Sequence, residues 1–123
     1  MNIEELRDYC IRKKGVTESF PFNQDVLVFK VMGKMYALLS LKAWEEGNPT
    51  INLKCDPEKA LILREQYESI YAGYHMNKKH WNTIALKNGT ISKSLLKELM
   101  DHSYDVVVQG LPRKVQEELR NIK

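Results

Sequence analysis

The residues best suited to chemistry in this chain lie in one short segment, 73–84, which reads GYHMNKKHWNTI. The segment holds two histidines, two lysines, two asparagines, a tyrosine and a tryptophan, and no hydrophobic period accounts for them. It lies within a longer stretch, 69–97, that has five lysines and neither aspartate nor glutamate. A polar, cationic segment with aromatic side chains is suited to binding an anionic partner.

A second pair of lysines, Lys30 and Lys34, flanks a predicted hairpin turn at Met32-Gly33. Two such loops at one edge of a sheet would bind nucleic acid, with lysines on phosphates and polar side chains on phosphate or sugar. The ring of Tyr74 or Trp81 would stack on an unpaired base, although a tryptophan packed in the core is the alternative for Trp81. The predicted nucleic-acid-binding residues are Lys30, Lys34, Tyr74, His75, Asn77, Lys78, Lys79, His80, Trp81, Asn82 and Lys87.

Two other kinds of partner fit the same cationic patch, namely a small anionic ligand and another protein. A plain solvated lysine face is the alternative to any binding role. Trp44 stands beside a polar turn at 45–49, where an exposed ring would mark a contact patch for a protein. A ring folded back over the sheet edge is the other interpretation of this residue.

Metal binding and catalysis have weaker support. His75 and His80 are five residues apart, a spacing that puts them on different faces of a strand or helix, and no carboxylate or thiol lies nearby. Cys55 precedes a predicted helix start, where the helix dipole would lower a thiol pKa, but Asp56 is the better cap and no third catalytic group is evident. We therefore predict neither metal, cofactor nor enzymatic activity.

Length and composition indicate a single domain over residues 1–123. The chain is 43% hydrophobic and 28% charged, with a net charge of +3, as in ordinary globular proteins. No apolar run approaches the roughly 20 residues that span a bilayer, and the start of the chain is acidic and polar, so we expect a cytoplasmic location. Cys10 and Cys55 are expected to be buried, reduced thiols.

The local patterns predict four helices and four strands. A helix over 2–14 is followed by a hairpin over 25–41, and Asp56-Pro57 begins a second helix. The pattern over 106–108 also suits a strand, but its apolar positions stay in phase with a helix that begins after Ser92. The remaining elements are strands over 50–55 and 81–86 and a last helix over 113–121. Short connections predict an α+β two-layer sandwich with a mainly antiparallel sheet and helices on one face.

The chain resembles the MmcQ/YjbR family in several segments that occur in the expected order and span nearly its whole length. The run HMNKKHW at 75–81 is the most specific of them. The resemblance implies a compact α+β domain of the frataxin-like, or CyaY-like, group and DNA binding through a double-wing arrangement. The matching segments are 21–22, 29–31, 33–37, 52–57, 103–107 and 73–83, the last of which contains this run.

Overall fold

The computed structural model describes residues 1–73 and 76–122, and within them the chain forms five helices and six strands. The elements alternate along the chain rather than separating into an all-helical and an all-strand half. In chain order they are α1 (Ile3–Ile11), β1 (Val16–Ser19), β2 (Val26–Val31), β3 (Lys34–Ser40), α2 (Leu41–Glu45), β4 (Thr50–Lys54), α3 (Pro57–Gln66), β5 (Ile70–Ala72), β6 (Trp81–Ala85), α4 (Lys93–Gln109) and α5 (Arg113–Arg120).

All six strands belong to one sheet with the order β1-β2-β3-β4-β6-β5. Every neighbouring pair is antiparallel. The crossover that places β6 between β4 and β5 means that β4 and β6, which are distant in sequence, pair along five residues. The predicted antiparallel α+β sandwich is therefore confirmed.

The core lies between one face of the sheet and the helices. Alternate strand residues such as Phe29 and Leu53 pack there against Leu6 of α1, Ala60 of α3 and Leu96 of α4. The alternation of a strand sends every second side chain to the opposite face. We call that opposite side of the sheet the open face, because the helices bury their apolar residues on the other side.

The β2–β3 hairpin closes through the predicted turn. Met32 and Gly33 have φ values of 49° and 85°, the two positive angles that a type I′ turn requires. The register shifts between Phe29 and Lys30, and Tyr36 occupies the irregular position opposite, with its hydroxyl donating to the Cys10 carbonyl over 2.6 Å. The bulge thus ties the hairpin to α1.

Three short elements were absent from the sequence prediction, namely β1, α2 and β5. β1 and β5 are the edge strands of the sheet. Their extended conformation depends on hydrogen bonds to the neighbouring strand rather than on an apolar pattern of their own. Helix α2 is capped by Ser40, the last residue of β3, whose hydroxyl accepts from Ala43 N over 3.1 Å. The segment 106–108 is helical, as the phase of its apolar residues predicts. None of the helices in the described ranges is both long and apolar enough to cross a membrane.

Candidate nucleic-acid interface

The two loops that carry the predicted lysines lie at the same end of the sheet. Val31 pairs with Lys34 at the tip of the β2–β3 hairpin, and Lys54 at the end of β4 pairs with Trp81 at the start of β6. Because β3 and β6 both run antiparallel to β4, each begins at the end where β4 finishes. The hairpin tip and the 77–80 turn therefore flank the end of β4 as two projecting loops.

Five lysines gather at this end of the sheet, and four of them belong to the predicted set. Lys34, Lys78 and Lys79 are exposed, whereas Lys30 and Lys54 are half-buried. Among residues 1–73 and 76–122, none of these ammonium groups forms an ion pair. We call this group (Lys30, Lys34, Lys54, Lys78 and Lys79) the lysine end.

Lys54 was not among the predicted residues. Its own strand carries no local sign of a binding role, and only the pairing of β4 with β6 brings it beside the 77–80 turn. Lys87 is the opposite case and requires a correction. It follows β6, next to Leu86, whose backbone N donates to the Pro49 carbonyl over 2.9 Å, so it lies at the other end of the sheet.

Trp81 and Asn82 also require correction, because their side chains are buried, with exposed fractions of 7% and 2%. The Asn82 oxygen accepts from Arg64 Nε over 2.6 Å, and its amide nitrogen donates to the Ala60 carbonyl over 3.5 Å. Gly73 N donates to the Trp81 carbonyl over 2.9 Å. The buried Trp81 ring therefore cannot stack on a base, and the Asn82 side chain cannot contact a phosphate.

The turn that presents Lys78 and Lys79 is held by hydrogen bonds. The side-chain oxygen of Asn77 accepts from Lys79 N over 3.0 Å. The backbone carbonyl of Asn77 accepts from His80 N and Trp81 N over 3.1 and 3.0 Å. Arg64 Nη2 donates to the Lys78 carbonyl. The polar groups of Asn77 thus shape the turn, while the two lysine side chains extend into solvent. The predicted residues Tyr74 and His75 lie outside the described residues.

The half-buried His80 connects this turn to β4, because its carbonyl accepts from Cys55 N over 2.7 Å. The sequence of the whole chain matches the model of the YjbR family over residues 11–106.

The chain belongs to the YjbR family. It is 43% identical over 101 residues to the uncharacterized protein YbdF of Escherichia coli O157:H7, covering 82% of this chain and 80% of that one. It is 33% identical over 114 residues to YjbR of Escherichia coli K12, covering 93% of each chain. The crystal structure of Deinococcus radiodurans protein DR2400 superposes with a TM-score of 0.85 at 39% identity, covering 96% of this chain and 87% of that one. This similarity confirms the family resemblance and the α+β architecture.

Two side chains outside the lysine end, Cys55 and Trp44, had alternative interpretations in the sequence of this YjbR protein. Burial raises the pKa of the Cys55 thiol, and the nearby Lys59 offsets this only in part, so the start of α3 does not give Cys55 the lowered pKa of an activated thiol. The half-buried Trp44 donates from Nε1 to the Thr50 carbonyl over 2.9 Å, so its ring folds back over the sheet. Among residues 1–73 and 76–122, no cluster of three or more His, Cys, Asp or Glu has the geometry of a metal site.

Proposed function

We propose that this YjbR protein binds nucleic acid without catalysing a reaction, and that the lysine end holds the sugar-phosphate backbone. The observation that supports this proposal is the grouping of five lysines at one end of the sheet, on the tip of the β2–β3 hairpin, the end of β4 and the 77–80 turn. Lysine is a point charge suited to phosphate, and several such charges together attract a polyanion more strongly than scattered ones.

The contacts expected of this surface are contacts to the backbone rather than to base edges. Lys78 and Lys79 are carried by a turn whose Asn77 oxygens and Lys78 carbonyl already accept hydrogen bonds, so the exposed ammonium groups are the parts that we expect to meet a ligand. Each ammonium that neutralises a phosphate releases a counterion, and affinity then falls as salt rises. Binding through the lysine end should therefore be salt-dependent and tolerant of sequence.

Fluorescence anisotropy of labelled DNA over a salt series tests the proposal. If the five lysines all contact phosphates, log K against log salt should have a slope of magnitude about 4 to 5 on duplex DNA. The variant Lys78→Glu should weaken binding and reduce the slope by about one or more. The matched control is Lys87→Glu, which makes the same charge change at the opposite end of the sheet and should have a clearly smaller effect.

A flat salt response, or equal loss in the two variants, would contradict the proposal. The alternative of a small anionic ligand predicts a different result, in which DNA fails to bind even at low salt and a phosphorylated compound raises the melting temperature. The two experiments use the same purified protein, so one preparation decides between them.

A further inference from the structure

An apolar cleft lies beside the lysine end, on the open face of the sheet. Its volume of about 540 Å³ is within the range of sites that hold small ligands or parts of larger ones. Phe22, in the loop before β2, and Met76 contribute side chains to its walls. The main lining residues are Phe22, Val26, Met35, Leu38, Asn52 and Met76.

The sheet register explains why this face carries a cleft. Leu38 pairs with Val28 on one side and with Asn52 on the other, and Asn52 pairs in turn with Thr83. Cross-strand partners share a face, whereas the next residue along the strand, Leu39, points into the core. Of this row, Leu38 and Asn52 form the floor of the cleft, and both are half-buried because the helices pack on the other face of the sheet.

The floor changes from apolar to polar at Asn52. The Thr83 hydroxyl donates to the Asn52 side-chain oxygen over 2.5 Å, so the amide group is oriented and its oxygen is occupied. The amide NH₂ is the part of Asn52 left to donate to a bound molecule. A planar ring with a carbonyl or ring nitrogen at its edge would fit this cleft, because its faces would contact the apolar walls and its edge would accept a hydrogen bond from the Asn52 amide.

Positive charge lies on the same face as the cleft. Lys30 is the cross-strand partner of Met35, which lines the cleft, and Lys54 is two residues beyond Asn52 on β4. Lys78 and Lys79 follow Met76 closely in the chain. An occupant with an apolar aromatic body and adjoining negative charge would complement both parts of the surface.

We propose that the cleft receives an unpaired nucleobase of a single-stranded nucleic acid while the adjoining phosphates lie on the lysine end. This inference rests on the proposed function and specifies its partner. The Phe22 ring, 64% exposed, offers a stacking surface of the kind that holds successive bases on single-strand-binding proteins. A base within a duplex is stacked on both faces and cannot enter a concave site, so the cleft selects single strands.

The test compares a labelled oligothymidylate with the duplex that it forms with oligodeoxyadenylate. The variant Phe22→Ala should weaken binding of the single strand about 5- to 160-fold, which is the range expected for one base-stacking contact, and should leave duplex binding within twofold. Phe20→Ala is the matched control, because Phe20 is also exposed, at 46%, and is absent from the cleft lining. Met35→Ala, which changes another lining residue of the cleft, should reproduce the selective loss.

The possible results separate this inference from the proposed function. If Lys78→Glu weakens both nucleic acids while Phe22→Ala behaves like Phe20→Ala, the lysine end binds nucleic acid and the cleft inference is overturned. If thymidine monophosphate competes as strongly as the oligonucleotide at equal concentration, the cleft is a site for free nucleotides and the single-strand proposal is overturned. If neither nucleic acid binds at low salt, both proposals are wrong.

Discussion

The half-buried Arg64 and the buried Asn82 form a hydrogen-bonded pair that supports the 77–80 turn of the lysine end from the opposite face of the sheet. Arg64 donates from Nε to the Asn82 oxygen over 2.6 Å and from Nη2 to the Trp81 carbonyl over 3.3 Å. The same nitrogen donates to the Lys78 carbonyl. One guanidinium on α3 therefore joins the first two residues of β6 to the turn that carries Lys78. The position of this exposed turn thus depends on the half-buried Arg64 side chain on the other face of the sheet.

Replacing Arg64 by lysine should destabilise the protein and loosen this turn. A single ammonium cannot reproduce the fork of donors, so the Asn82 oxygen or a carbonyl is left unsatisfied, at a cost of about 1–3 kcal/mol in the free energy of unfolding. Hydrogen exchange in a peptide over residues 77–82 should accelerate. Urea denaturation and exchange followed by mass spectrometry measure the two effects.

Arg7→Lys is the control for that substitution, because Arg7 makes an exposed ion pair with Glu18, with Nε 2.8 Å from the carboxylate. Exposed pairs of this kind contribute about 1 kcal/mol or less, so its loss should be small. If Arg64→Lys and Arg7→Lys had equal costs and neither altered exchange at 77–82, the positioning role of Arg64 would be excluded.

Ser103 of α4 is a second buried connection to the lysine end. Its hydroxyl, which is fully buried, donates to the Tyr36 carbonyl over 2.5 Å and accepts from Lys54 N over 2.9 Å. Ser103→Ala leaves both backbone groups without a partner and should lower the free energy of unfolding by about 2–3 kcal/mol. Thermal and urea unfolding give the value.

Ser94→Ala makes the same change at an exposed position of the same helix. Its effect should stay within about 0.5 kcal/mol, because no buried group loses a partner there. A Ser103→Ala variant as stable as Ser94→Ala would show that water replaces the hydroxyl at the end of β4.

The thiols of Cys10 and Cys55 should be unreactive in the native protein. Burial raises the pKa of Cys10 to about 12, so at pH 8 only about one thiol in ten thousand would be ionised. Burial also raises the pKa of Cys55. A disulfide reagent at pH 8 should label neither rapidly and both after denaturation, whereas an exposed Ser94→Cys variant should react at the rate of a free peptide. Rapid native labelling of Cys55 would restore it as a candidate nucleophile.

Features set by adjacent residues were predictable from the sequence. The Met32-Gly33 turn and the start of α3 at Asp56-Pro57 depend on positive φ, a short acidic cap and a proline at the first helical position. Each is decided within a few residues. Lys30 and Lys34 could therefore be placed on either side of the hairpin turn, and short connections predicted the antiparallel sheet.

Features set by the crossover were not predictable. The pairing of β4 with β6 passes over α3 and β5, and it decides that Lys54 belongs to the lysine end and Lys87 does not. The burial of Asn82 depends on Arg64, which is 18 residues away in the chain. In a segment of mixed polar and apolar residues, the neighbouring sequence does not indicate whether a polar side chain is buried and hydrogen-bonded or exposed and able to bind a ligand.

His102 should make the stability of the fold depend on pH. Its Nε2 accepts from Asp56 N over 3.1 Å at the start of α3, and this bond exists only while the imidazole is neutral. Burial, assisted by the nearby Lys59, lowers the pKa of His102 below its ordinary value near 6.5, although Asp56 and Asp105 oppose the shift. The unfolded chain therefore binds the proton more readily than the folded one. The contribution is complete above about pH 6.5 and is lost as pH falls through the lower folded pKa.

Urea denaturation from pH 7.5 down to pH 5 measures this dependence. The variant His102→Gln keeps a side-chain acceptor for Asp56 N but does not titrate, so its stability should decline less than that of the parent over the same interval. The other titratable groups are common to both proteins, so the difference between the two curves reports the contribution of the imidazole. Parallel curves would mean that His102 takes up its proton in the folded protein without breaking the bond to α3, and the geometry at Asp56 would then have to rearrange.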